Sequence, residues 1–90
     1  MGDKKEKKYI KIIVEMARNP EGDPVVAHYR ITENVKMKRV KDDFAEKMNE
    51  SVRLYRFLFY GERLADDATA KTLEMEDGDW IEVFETQESG

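Results

Sequence analysis

The stretch Met37-Lys38-Arg39-Val40-Lys41-Asp42-Asp43-Phe44-Ala45-Glu46-Lys47-Met48 has apolar residues at Met37, Val40, Phe44 and Met48. Steps of three and four residues are typical of the buried stripe of an amphipathic helix. Asn34 is a candidate N-cap, and Asn49 is placed to close the helix in the left-handed conformation. We predict one helix that ends near Met48. We expect Phe44 and Met48 to fill the core, because one face of contact cannot bury all four apolar residues.

Strand patterns lie on both sides of this helix. Residues 9–16 are rich in β-branched side chains, and residues 25–32 alternate, with Tyr29 and Ile31 on one face. Both prolines lie in residues 17–24, which indicates the loop of a long hairpin. After the helix, the sequence predicts a strand at 54–59, a turn at 60–61, a short strand at 63–64, a helical turn at 72–75, a tight turn at 77–79 and a strand at 80–84.

The order ββαβ(β)β is that of an α+β protein with a β-grasp fold. We expect a mixed sheet of four to five strands wrapped over one helix. The domain should span residues 9–85, with a flexible charged leader at 1–8 and a flexible tail at 86–90. Ninety residues allow one modest core, so a multidomain enzyme is excluded.

The side chains needed for most enzyme chemistry are missing from the composition. The chain has no cysteine and one histidine, His28, on a predicted strand, which argues against a catalytic triad and rules out cysteine-based metal sites. The acidic run at 74–79 resembles a calcium loop. Aligning Gly78 with the loop glycine, however, places Leu73 where the first carboxylate is required. We therefore expect no enzyme activity, no cofactor and no metal.

Charge is distributed unevenly along the chain. The net charge is −4, yet five bases and one acid lie between His28 and Lys41, and residues 74–90 carry seven acids and no base. This balance argues against direct nucleic-acid binding, and the longest apolar runs, at 12–14 and 57–60, are too short to span a membrane. We expect an intracellular monomer.

Four segments of the second half resemble the small ubiquitin-related modifier (SUMO) family. They are Arg-Phe-Leu-Phe at 56–59, Gly-Glu-Arg-Leu-Ala-Asp-Asp at 61–67, Thr-Leu-Glu-Met-Glu-Asp-Gly-Asp at 72–79 and Ile-Glu-Val-Phe at 81–84. The resemblance extends back through the helix to residues 9–12, and omits only the lysine-rich start and the hairpin loop. It implies the ubiquitin-like form of the β-grasp and a nuclear location.

The resemblance also implies a peptide-binding groove between the second strand and the helix. SUMO proteins accept an extended hydrophobic peptide flanked by acids as an added strand. Exposed strand edges, apolar pockets and basic residues together suit such a ligand. The corresponding residues are the apolar Tyr29, Ile31, Val40 and Phe44 and the basic Arg30, Arg39 and Lys47.

Three departures from the family concern conjugation to target lysines. The family's tail ends in Gly-Gly, whereas Ser89 precedes Gly90 here, so Gly90 is a conjugation terminus with an altered neighbour. Tyr60, beside Gly61, replaces the usual acid on the surface that docks the conjugating enzyme. The first hairpin loop is also longer, by about five residues on alignment of the flanking strands.

Two interpretations of function therefore stand. In one, the chain is a SUMO-like modifier that is conjugated through an isopeptide bond, docks the SUMO-conjugating enzyme and is bound by proteins with SUMO-interaction-type motifs. In the other, it is a non-conjugated SUMO-like adaptor, either engineered or excised from a larger genome-maintenance protein. The length, leader and tail favour the first interpretation, whereas Ser89 and Tyr60 favour the second.

Overall fold

Five strands and two helices make up the part of the chain that the structure, a computed structural model, describes: residues 8–17 and 22–86. In chain order, the elements are β1 (Tyr9–Met16), β2 (Val25–Thr32), α1 (Met37–Met48), a 3₁₀ turn (Val52–Leu54), β3 (Tyr55–Phe59), β4 (Glu62–Arg63), α2 (Ala70–Leu73) and β5 (Trp80–Glu85). The predicted leader and tail lie, apart from Lys8 and Thr86, outside these residues. So do positions 18–21 of the hairpin loop.

The strands form one mixed sheet in the order β2-β1-β5-β3-β4. β1 and β2 are an antiparallel hairpin in which Tyr9 faces Thr32 and Met16 faces Val25. β5 lies parallel to β1 and antiparallel to β3. The α+β prediction of a sheet with one main helix is therefore confirmed. β2 is an edge strand of this sheet, and one side of its backbone is not paired with another strand.

The core lies between the sheet and α1. Met37, Val40 and Phe44 are at most 2% exposed, whereas Met48 in the last turn is only half-buried. The expected core pair of Phe44 and Met48 is thus wrong in part. At about 100° per residue, the first three apolar side chains lie within an arc of about 60°, so one twisted sheet face can bury all of them.

The two ends of α1 differ in how their backbone groups are satisfied. The N-cap is Lys36 and not the predicted Asn34, and no side chain caps this end. The amides of Met37 and Lys38 instead donate to the carbonyl oxygens of Ala68 and Asp66, at 2.8 and 2.9 Å. Because a loop distant in sequence supplies these acceptors, a local pattern could not predict the cap.

Asn49 has the predicted left-handed conformation, with φ of 62°, and its amide donates to the Glu46 carbonyl at 2.9 Å. α2 begins with a capping box, in which Thr69 and Thr72 each accept a hydrogen bond from the other's amide. This turn of helix starts two residues earlier than predicted, because the box places its N-cap at Thr69.

The tight turns agree with the sequence pattern. Tyr60 and Gly61 both have positive φ, at 53° and 81°, which is the geometry of a two-residue hairpin turn. In the acidic turn at 77–79, the Asp77 carboxylate accepts from the Lys11 amide at 2.7 Å, and the Asp79 carboxylate accepts from the Glu76 amide at 2.8 Å. These carboxylates therefore hold the turn together. Residues 8–17 and 22–86 contain no cluster of potential metal ligands.

Candidate peptide groove

The free edge of β2 and one face of α1 enclose an open groove of about 580 Å³. α1 follows β2 closely in the chain, after a short turn. In this turn the Val35 amide donates to the Thr32 carbonyl at 3.2 Å. The groove therefore runs beside an unpaired strand backbone. It is lined by Tyr9, His28, Tyr29, Arg30, Ile31, Thr32, Val35, Arg39, Val40, Asp43 and Lys47.

Six of the seven residues predicted for the groove line it. Ile31 and Val40 are 6% and 2% exposed, so they form a closed apolar floor. Tyr29 is half-buried and presents more of its surface. The structure brings these three apolar residues together with the basic Arg30, Arg39 and Lys47, but whether they bind a peptide stays a prediction.

Phe44 does not line the groove, in contrast to the prediction. It is 1% exposed, and its ring makes edge-to-face contacts with Tyr55 and Phe57 at centroid distances of 5.8 and 5.9 Å. Phe44 points at the sheet because it lies on the core stripe of α1. A core residue of this kind can support the groove, but it cannot contact a ligand there.

Sequence reasoning missed five of the lining residues: Tyr9, His28, Thr32, Val35 and Asp43. Arg39, Asp43 and Lys47 lie four residues apart on α1, so they form a second stripe beside the apolar one, and Val35 lies in the turn before the helix. A helical wheel drawn through Arg39 and Lys47 would have placed Asp43 between them. The predicted set of groove residues therefore lacked Asp43, the acid in the observed lining.

An ion pair within the groove joins Lys47 to Asp43, with the ammonium nitrogen 3.0 Å from the carboxylate oxygen Oδ2. The same nitrogen lies 5.7 Å from the centre of the Tyr29 ring, a cation–π distance. Arg30, which also lines the groove, has its guanidinium 5.4 Å from the centre of the Tyr9 ring. Two of the three predicted bases are thus already engaged.

Tyr29 and Asp43 perturb each other's ionisation. The Tyr29 hydroxyl is buried and has no hydrogen bond of standard geometry, although the Asp43 carboxylate lies beside it. Burial first, and then Asp43, raises the pKa of the Tyr29 phenol. The pKa of Asp43 is lowered, most by the Tyr29 hydroxyl and next by Lys47. Asp43 therefore carries a negative charge inside the groove at neutral pH.

A second surface surrounds the turn between β3 and β4. Tyr60 is 83% exposed, and Trp80 is 55% exposed. Together with Gly61, Gly78, Asp79 and Glu82 they line a shallow depression of about 450 Å³. This is the position predicted for enzyme docking through Tyr60 and Gly61, and Trp80 adds an aromatic residue that the prediction did not include. Ser89 and Gly90, the predicted conjugation terminus, lie outside the described residues.

No helix within residues 8–17 and 22–86 is both long and apolar enough to cross a membrane. His28 lies on an exposed position of β2 at the groove edge, in keeping with an ordinary surface histidine.

Comparison with known sequences identifies one family. The family model described as "Ubiquitin-2 like Rad60 SUMO-like" matches residues 10–84. A small ubiquitin-related modifier of Caenorhabditis elegans is 42% identical over 89 residues, which cover 99% of this chain and 90% of that protein.

Two solved structures share the fold at low identity. The ubiquitin of Caldiarchaeum subterraneum superposes with a TM-score of 0.76 at 20% identity, covering 92% of this chain and all of the other. The N-terminal ubiquitin-like domain of the 4931431F19Rik protein gives a TM-score of 0.70 at 19% identity, covering 99% and 86%. These two structures support the fold, and the family model and the Caenorhabditis elegans relative show that the chain belongs to the SUMO-like family of ubiquitin-like proteins.

Proposed function

We propose that this SUMO-like chain works by binding extended hydrophobic peptides with acidic flanks in the groove between β2 and α1. The single observation that carries the proposal is the unpaired edge of β2 beside an apolar floor. An extended peptide can add to such an edge through main-chain hydrogen bonds. Tyr29, Ile31 and Val40 would then select apolar side chains, and the nearby cations would attract acids.

The direct test is an NMR titration of isotopically labelled protein with a peptide of four Val/Ile residues followed by three Asp residues. Saturable shifts of backbone amides in residues 25–32 and 35–48 are expected, with a Kd of about 1–100 μM, an order typical of a short added strand. Arg39→Gln should weaken binding, whereas Arg56→Gln on the far face of β3 is the matched control. If no amide in these segments shifts at millimolar peptide, the groove is not the binding site.

A second candidate function is conjugation through Gly90, with the depression at Tyr60, Gly61 and Trp80 docking the SUMO-conjugating enzyme. The relative named as a modifier, together with the acids Asp79 and Glu82 at the rim of the depression, supports it. The acidic rim suits a basic partner surface. In the alternative, the chain is a non-conjugated adaptor that uses the groove alone. In either case we infer a non-enzymatic, intracellular protein with a nuclear location, whose partners carry SUMO-interaction-type motifs.

Incubation with SUMO-activating and SUMO-conjugating enzymes and ATP separates the modifier from the adaptor. Because Ser89 adds a side chain next to the reacting carboxylate, we expect weak thioester formation by the native chain and a gain of at least about tenfold in Ser89→Gly, since only glycine allows the closest backbone approach. Equal and rapid reaction of both chains would show that Ser89 is no obstacle. Failure of both would favour the adaptor.

A further inference from the structure

We infer that Asp43 sets the charge selectivity of the groove: it neutralises Lys47, and so leaves Arg39 as the cation that selects acidic side chains in the ligand. This inference rests on the proposed peptide binding and deepens it. It predicts a ligand whose acids lie on one side of its apolar segment only, over Arg39.

Three of the four basic side chains of α1 form ion pairs with acids in the described part of the chain, and Arg39 does not. Lys38 pairs with Asp42 at 2.8 Å, Lys41 with Asp66 at 2.9 Å and Lys47 with Asp43 at 3.0 Å. Within residues 8–17 and 22–86, Arg39 has no ion pair. Among the described residues, it is the one base of α1 in the groove without an ion pair, and its charge adds only the smallest of the effects that lower the pKa of Asp43.

Arg39 and the Lys47–Asp43 pair lie at different ends of the groove, so the two ends should differ in their attraction for acidic side chains. The chain passes from the end of β2 through a short turn into α1, so Arg39 in the first turns lies nearer that end of β2 than Lys47 does. The Lys47–Asp43 pair lies two turns further along, against the Tyr29 ring. A peptide on the edge of β2 therefore meets a positive charge over Arg39 and a neutral pair at the other end.

The Lys47–Asp43 pair is accessible to a ligand. Its side chains are 59% and 43% exposed. A ligand carboxylate brought to Lys47 would also approach Asp43, and repulsion from that carboxylate offsets the attraction. An uncharged side chain or a hydrogen-bond donor fits this end better. The Asp43 carboxylate, which pairs with Lys47, therefore disfavours acidic ligand side chains at this end of the groove.

The test measures peptide affinity by NMR for five variants, using the peptide of four Val/Ile and three Asp residues. Arg39→Gln should weaken binding by about threefold or more, whereas Lys47→Gln should change it by less than about twofold. Asp43→Asn should tighten binding by about two- to fivefold, chiefly because it frees Lys47 and to a smaller extent because it removes a negative charge near Arg39, and the double variant with Lys47→Gln should lose most of that gain. Asp42→Asn, on the same helix but outside the groove lining, should have no effect.

The outcomes distinguish this inference from the proposed function. If Lys47→Gln weakens binding as much as Arg39→Gln does, or if Asp43→Asn has no effect, the inference is overturned and peptide binding stands. If neither the native chain nor any variant binds, the proposed function falls and this inference falls with it.

A readout without peptide checks the pairing itself. The Asp43 carboxyl pKa, followed by NMR in the free protein, should lie below its ordinary value and rise in Lys47→Gln. The same pKa in both chains would show that Asp43 does not neutralise Lys47.

Discussion

Phe44 and its neighbour Asp43 show that adjacent residues of α1 face the core and the groove respectively. Its ring fills the space between α1 and β3, where the rings of Tyr55 and Phe57 meet it edge-on. One residue earlier, Asp43 lies in the groove. A rotation of about 100° between neighbouring residues of a helix therefore divides structural from ligand-facing positions.

Phe44→Ala should lower the free energy of unfolding by about 3–5 kcal/mol, because it removes a buried ring and leaves a cavity. Urea denaturation measures the loss. Phe84→Ala is the matched control, since Phe84 is 49% exposed, and we expect a cost below about 1 kcal/mol. Equal costs would show that Phe44 is not part of the core. Phe44→Leu, which keeps most of the volume, should bind peptide with unchanged affinity.

Each helix ends on a non-glycine residue in the left-handed conformation. Asn49 closes α1 with φ of 62°, and Glu74 closes α2 with φ of 56°. Asparagine tolerates this conformation, and its place after the apolar stripe made it predictable. Glutamate has no such tendency, so the sequence contained no sign that Glu74 would close a helix.

Glu74→Gly should raise the free energy of unfolding by about 0.5–1 kcal/mol, because relief of the left-handed strain exceeds the entropy cost of glycine. Thermal and urea denaturation both report it. Glu76→Gly provides the control: Glu76 is not among the residues with positive φ, so glycine there should only destabilise. A loss of stability in Glu74→Gly would mean that the Glu74 side chain makes a stabilising contribution that outweighs its backbone strain.

At the scale of the whole molecule, the sequence pattern predicted the element order, the end of α1, the hairpin and the turns at 60–61 and 77–79. One failure comes from contacts between segments distant in sequence, whereas the shifted start of α2 comes from a local capping box. The cap of α1 comes from the carbonyls of Ala68 and Asp66. In the candidate site, the floor and the bases were predictable from the residues and the family, but the pairing of Lys47 with Asp43 required the fold.

Acid should destabilise the whole domain in part through Asp66 and Asp43. The pKa of Asp66 is lowered, first by its hydrogen bond with Lys41, and that of Asp43 is lowered in the groove. A carboxyl whose pKa is lower in the folded state stabilises the fold above its unfolded pKa, near 3.8. That contribution is lost as the pH falls through the folded pKa.

The free energy of unfolding should therefore decline below about pH 4, as followed by urea denaturation between about pH 2 and 7. Asp66→Asn and Lys41→Gln should each make this decline shallower, since each removes the same pair. If both variants lose stability with the same slope as the native chain, the pair contributes nothing to acid sensitivity.

The parallel pairing of β1 and β5 has a mechanical consequence. β1 enters the sheet at Tyr9, and β5 leaves it at Glu85, at the opposite end of these two neighbouring strands. A force that pulls Tyr9 and Glu85 apart is directed along both strands, so it loads the hydrogen bonds of the pair together, in shear, and does not peel them away one by one. The domain should resist stretching in this direction far better than a pull across the β1–β2 hairpin, whose ladder can open like a zipper from its free end.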